Sequence, residues 1–299
     1  MEAIKQPSTP FTKRVPLSER GIDGVTLLLV PAALFLLVVF VYPFLYGLML
    51  SFSPKDGGWL GNYRHFFSDP YLYRTIYLTL ILAVPVTVVN LLLSIPIAMQ
   101  VRNMKRQRVL TTVLVLPITL GTVLVAEGLL NYLGPQGWFN RTLILIGLID
   151  RPVRLVHNYI GVFISLIVTG FPLTFLLTLS IISGIDPALE QAAATLGAKA
   201  RQRFRHIVLP LIIPGVAVTF CLSFVDAFSV FPSAVMLGAP AGETRVISIA
   251  ASQAAFEQYD YSFASAIAMI MAAVQFAIVL VILGMRGLFY KGPAGGGKG

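Results

Sequence analysis

The chain has 299 residues, 57% of them hydrophobic and 12% charged, with a formal net charge of +9. A soluble domain carries about 25% charged residues, so this composition cannot cover a water-facing surface. Apolar runs of roughly 18 residues or more place the chain among integral membrane proteins.

Taken in chain order, a polar N-terminal tail covers residues 1–22. A transmembrane domain follows over residues 23–289, with six apolar spans: about Gly24–Ser51, Tyr73–Val101, Val109–Leu133, Tyr159–Ile182, Leu209–Leu237 and Phe263–Phe289. The fold class predicted is an all-α integral membrane protein of six transmembrane helices. The first span is too long for a signal peptide, and no small-residue cleavage site follows it. Pro31, Pro43, Pro85, Pro96, Pro172 and Pro214 lie inside spans and are expected to kink them, with neighbouring helices satisfying the freed carbonyls.

Most of the 22 lysines and arginines fall in residues 1–22, 102–108, 183–208 and the C-terminal end. The positive-inside rule then puts both termini in the cytoplasm. The cations thereby report topology, and nucleic acid is not needed to explain them. The C-terminal tail, residues 290–299, is rich in glycine. Gly292, Gly297 and Lys298 fit part of a phosphate-loop pattern, but Gly299 stands where Ser or Thr is required, and no strand and helix flank it.

A single cysteine, Cys221, allows no intramolecular disulfide, and His65, His157 and His206 have no metal-ligand spacing. A membrane enzyme would need a nucleophile–base or metal constellation, and none is seen. A secondary transporter would more often show inverted repeats and midplane charges tied to ion coupling. No convincing repeat is found.

The most informative stretch is the polar insert between spans four and five, residues 183–208. Asp186-Pro187 is a helix start, with an oxygen-bearing cap and proline at the first helical position. Ala192, Ala193 and Ala194 favour helix and carry little bulk. Gly197 then stands where a helix end wants positive φ, and a second short helix is predicted from Lys199 to about Ile207. Lys199, Arg201, Arg203 and Arg205 could face lipid phosphates.

Ala192-Ala193, three residues, Gly197, nine residues, Ile207, one residue and Leu209-Pro210 resemble the "EAA-x3-G-x9-I-x-L-P" loop of binding-protein-dependent ATP-binding cassette importer permeases. "YPFLYGLMLSF" (Tyr42–Phe52) and Leu116–Leu143 look like that family's first span and its third span with the following outer segment. The resemblance covers nearly the whole chain and implies a type I importer permease of the bacterial inner membrane. It also implies partners: two ATP-binding cassette ATPase subunits, a second permease (related or identical), an extracytoplasmic solute-binding protein and membrane lipid. No cofactor is expected on this chain, ATP and Mg being used by the partner ATPase. In the family this loop is the coupling helix, so the resemblance assigns ATPase coupling to Glu190, Gln191, Ala192, Ala193, Gly197 and Arg203. The family's glutamate position is held here by Gln191. Glu190 lies one residue earlier, about 100° around the helix. Either Gln191 contacts the ATPase through a neutral hydrogen bond, or Glu190 does so from another face.

Polar groups inside spans are functional hypotheses. Asp226, Ser223, Ser229 and Phe228 in span five, with Glu127 and Asn131 in span three, are candidates for a substrate path. The alternative for Asp226 is a pairing across helices, and Asn90 reads as a helix–helix hydrogen bond. "AATLGA" and the segment Gly242–Ala268 look like the polyamine/opine/phosphonate permease group. A sugar or sugar phosphate is the second substrate class.

Overall fold

The computed structural model describes residues 24–55 and 57–289, and it divides into two compact units, residues 1–50 and 51–299. The predicted tails, 1–22 and 290–299, lie outside the described residues, as do Gly292, Gly297 and Lys298. Among the described residues the regular structure is entirely helical. Six helical segments are long and apolar enough to cross a membrane.

In the first unit, α1 (Gly24–Leu36) runs through a π-helical stretch (Leu37–Val41) into α2 (Tyr42–Ser51). The Tyr42 N–H bonds to the Leu37 carbonyl, five residues back. The widened turn lies directly before Pro43. A proline ring clashes with the carbonyl four residues earlier, here that of Val39, and the π turn moves that carbonyl aside.

The second unit holds the remaining spans. After α3 (Gly61–Ser68) comes α4 (Pro70–Arg102), capped by Asp69, whose Oδ1 accepts the Tyr71 N–H at 2.8 Å. Next comes α5 (Gln107–Leu133), bent at Gly121 (φ +75°, ψ 157°) four residues after Pro117. The short α6 (Trp138–Leu145) is pinned by Asn140, which is fully buried. Its Nδ2 donates to the carbonyls of Leu133, Gly134 and Val153, and its Oδ1 accepts the Val153 N–H. Then come α7 (Tyr159–Ser183), α8 (Pro187–Thr195) and α9 (Ala200–Arg203). A π stretch (Phe204–Val208) leads from α9 into α10 (Leu209–Phe228). It also lies just before a proline, Pro210, and repeats the device seen before Pro43.

One span differs from its prediction. The fifth was expected as one helix over Leu209–Leu237, but α10 ends at Phe228 and α11 covers Pro232–Met236. Pro232 has no N–H to continue the ladder, and Phe231 takes φ −133°, ψ −59°. The last elements among the described residues are α12 (Ile247–Ser252), a π stretch (Gln253–Glu257) and α13 (Tyr261–Phe289).

α4, α7 and α10 pack on one another, with α13 against α10 and α5 against α7. One apolar cluster, around Leu82, Val86, Val162, Phe224 and Phe228, fills the end away from residues 183–208. Another, around Phe175, Ile182, Val208 and Ile212, fills the end beside them. Between them lies a polar seam. Ser94 pairs with Thr178 at 3.1 Å, and Thr174 with Ser223 at 2.8 Å. Lipid tails are as apolar as leucine, so close packing and such cross-helix bonds hold the bundle.

Candidate functional site

The insert folds as its local chemistry dictates. Asp186 caps α8, its Oδ1 accepting the Ala188 N–H at 2.9 Å. Gly197 takes φ +83°. The Ala198 N–H reaches the Ala193 carbonyl and the Gly197 N–H reaches that of Ala194, both at 3.0 Å. This is a Schellman ending, which needs the left-handed residue at 197. The second helix begins one residue later than predicted and continues without a break into α10.

Arg102, the last residue of α4, decides how the insert is held. It donates one N–H to the Ile182 carbonyl at 3.1 Å and another to Glu190 Oε1 at 2.5 Å. Glu190 is thereby drawn toward the bundle. Gln191, Ala192, Ala194 and Gly197 are exposed, and Leu196 is 88% exposed. Ala193 and Arg203 are half-buried. They line a cleft of about 400 Å³ with Leu196, Gly197, Gln202 and His206. The six residues predicted for coupling thus share one end of the bundle, with Glu190 turned inward.

The predicted path residues separate. Ser223 and Phe228 lie inside the packed bundle, Ser223 bonded to Thr174 and Phe228 in the apolar cluster. That burial takes both off any surface this chain presents to a solute. Glu127 and Asn131 are exposed on α5 and bonded to each other at 3.0 Å. Asp226 is exposed on α10, and Ser229 is exposed just past its end. Asp226 makes no hydrogen bond or ion pair among the described residues. Ser229 accepts from Gln275 Nε2 of α13 at 2.9 Å.

Sequence reasoning missed the polar structure at the end away from the insert. Arg245 is only 5% exposed. It bonds to Gln253 Oε1 and to the Tyr71 carbonyl, and its guanidinium lies 3.9 Å from the Tyr71 ring centre. An arginine in an otherwise ordinary loop gives no local signal of burial. Among the described residues no three of His, Cys, Asp and Glu come together as a metal site.

Residues 56–291 match the family described as the binding-protein-dependent transport system inner membrane component. The chain belongs to this family. The permease is similar to the spermidine/putrescine transport system permease PotB of Haemophilus influenzae, 30% identical over 212 residues, covering 68% of this chain and 74% of that one. It is also similar to PotB of Escherichia coli K12, 28% identical with 68% and 77% covered. A probable sulfate transport system permease, cysT of Prototheca wickerhamii, is 29% identical over 167 residues, covering 56% of this chain and 64% of that one. Among solved structures, the fold matches a bacterial ABC transporter that imports the acidic polysaccharide alginate, with TM-score 0.74 and 24% identity, covering 89% of this chain and 96% of that one. The same kind of transporter in complex with an alginate pentasaccharide-bound periplasmic protein gives TM-score 0.78 at 23% identity, covering 92% and 98%. The permease is a multi-pass inner-membrane subunit of a binding-protein-dependent importer.

Proposed function

We propose that the permease forms half of an import path for a small cationic solute of the polyamine class, and that residues 183–208 dock on a separate ATP-binding cassette subunit. In this reading both termini and the α8 end are cytoplasmic. A second permease completes the path, two ATPase subunits use ATP and Mg, and a binding protein delivers solute at the other face. Arg102 anchors the insert through Glu190. Gln191 offers the ATPase a neutral amide, and Ala192, Ala193 and Gly197 let its surface approach closely. The observation that carries this is the division of labour between neighbours: Glu190 bonded inward, Gln191, Ala192, Ala194 and Gly197 left open. The exposed Asp226 carboxylate and the similarity to spermidine/putrescine permeases support a cationic solute.

The test is site-directed cross-linking in native membranes. A Leu196→Cys variant in a Cys221→Ser background is expected to cross-link to an ATPase subunit through a short bifunctional reagent. A cross-link to nothing, in membranes where tagged permease and ATPase co-purify, removes the docking role. A permease that purifies alone and transports without ATP removes the importer reading as a whole.

A further inference from the structure

Three spans meet around one glycine. Gly170 lies in the middle of α7, eleven residues past Tyr159. At 1.5 Å per residue that is about 16 Å from the helix start, near the centre of a hydrocarbon core of about 30 Å. A Cβ built on Gly170 would stand 2.8 Å from Asn90 Nδ2 of α4 and 3.9 Å from Asp226 Oδ2 of α10. The missing side chain is what lets the Asn90 amide and the Asp226 carboxylate approach the same point. Asp226 is exposed on the bundle surface, whereas Asn90, 2% exposed, stands behind it.

Neither polar group is satisfied. Asp226 has no partner among the described residues, and Asn90 Oδ1 is buried without a donor. The Asn90 amide makes one long bond, from Nδ2 to the Leu166 carbonyl at 3.5 Å. An unmade buried hydrogen bond costs about 1–3 kcal/mol, so the Asn90 oxygen calls for a donor, and the unpaired Asp226 carboxylate beside it calls for a counter-charge.

The backbone beside Asp226 is also unusual. α10 stops at Phe228, and Ser229, Val230 and Phe231 interrupt the span before α11. Non-helical backbone at membrane depth is tolerated where it is buried in protein or lines a cavity. Broken helices of this kind mark binding sites in other transporters. The break is supported from two sides. Gln275 Nε2 donates to the Val225 carbonyl at 3.3 Å, and Ser248 Oγ donates to the Val230 carbonyl. Phe231, the last residue of the break and 39% exposed, adds an aromatic side chain five residues after Asp226.

We propose that Asp226, Asn90, Gly170 and the break at Ser229–Phe231 form a mid-membrane subsite for a primary ammonium group. Asp226 supplies the counter-charge, Asn90 is a positioning residue behind it, and Gly170 sets the room between them. Ammonium carries three donors and no acceptor, and a cation over an aromatic face is stabilised by the ring quadrupole. This rests on the reading of the chain as a cation-importing permease.

The experiment uses the full complex with its ATPase and binding protein, purified and placed in proteoliposomes, with radiolabelled putrescine and spermidine as probes. Uptake is expressed per assembled complex, beside binding-protein-stimulated ATP hydrolysis. Asp226→Asn is expected to lower uptake of both amines at least tenfold while ATP hydrolysis persists, and Asp226→Glu to keep part of the uptake. Gly170→Ala is expected to lower uptake by displacing the Asn90 amide. The pair Gly170→Ala/Asn90→Ala is expected to recover part of it by removing the clash. Unchanged amine uptake in Asp226→Asn overturns the subsite alone, as does a fall matched by an equal fall in ATP hydrolysis. A wild-type complex that imports neither amine overturns the substrate reading, and the subsite with it.

Discussion

Arg102 and Glu190, 88 residues apart in sequence, meet in an ion pair of 2.5 Å that ties the end of α4 to the first turn of α8. Their side chains are only 11% and 18% exposed, so the pair is shielded more than an ordinary surface bridge. Hydrogen bonds to charged groups contribute about 1.5–3 kcal/mol. Glu190→Gln and Arg102→Met are each expected to loosen the insert, with a coupling energy of about 1–2 kcal/mol between them. A double-mutant cycle on thermal unfolding in detergent measures it, and additive effects would show that the pair holds nothing. In proteoliposomes both single variants are expected to hydrolyse more ATP per solute moved than wild type.

Gly197 carries φ +83°, and a Cβ placed on it would meet no atom within 4 Å. A bulky residue there is strained by its backbone and meets no clash inside this chain. A left-handed conformation costs an ordinary L-residue about 1–2 kcal/mol. Gly197→Leu is expected to assemble in the membrane and to lose most ATP-driven uptake. Gly197→Asn, which tolerates this backbone, should keep more. Uptake rates normalised to membrane-inserted protein decide it, and equal rates in all three proteins would count against docking at this residue.

Asn140 alone satisfies three carbonyls and one N–H around α6. Asn140→Ala removes all of these bonds at once from a side chain that is fully buried, leaving the Leu133 carbonyl and both Val153 backbone groups without this partner. The expected loss is about 1–3 kcal/mol, read as a lower melting temperature of the purified protein. Asn140→Asp, which keeps the acceptor and loses the donors, should fall nearly as far.

Asp260 predicts an acid sensitivity. Burial pushes its carboxyl upward. The backbone N–H groups of Phe263 and Ser262 and the Lys55 ammonium at 3.1 Å outweigh that, so it titrates below the usual carboxylate range. A carboxyl with a lower pKa folded than unfolded contributes its full stability above the unfolded pKa. That contribution is lost as pH falls through the folded pKa. Asp260→Asn should therefore be less stable than wild type near neutrality, and the difference should shrink in acid below the carboxylate range. Melting curves of both proteins from neutral to acid pH test this, and a gap that does not narrow would rule the linkage out.

The structure of the insert was legible because its signals are local. Asp186, Pro187 and Gly197 each act on their own turn of backbone, and the structure places the cap and the left-handed residue where the sequence puts them. The spans were legible from apolar length alone. The interruption at Ser229–Phe231 was not, because hydropathy runs straight through it, and Pro232 alone does not say whether a helix bends or stops. Ser223 and Phe228 are candidates in the sequence because Ser223 is a polar residue near Asp226 on span five and Phe228 adds aromatic surface there, and neither signal says which face meets the neighbouring helices. Their burial is set by α4 and α7. The bond between Arg102 and Glu190 and the burial of Arg245 are long-range facts, made by elements that sequence reading could place but not orient.

Ala200 to Phe228 is one continuous helical run of 29 residues, in which the π turn at Phe204–Val208 accommodates Pro210 and the helix carries on through Pro214. At 1.5 Å per residue the rod is about 43 Å long. Arg203 sits near one end and Asp226 near the other. A lever of that length magnifies small rotations: a tilt of about 3° imposed at the Arg203 end sweeps the Asp226 end by about 2 Å. If residues 183–208 dock on an ATPase subunit as proposed, this continuous helix is the covalent route by which a push at the insert would reach the carboxylate as a sideways stroke.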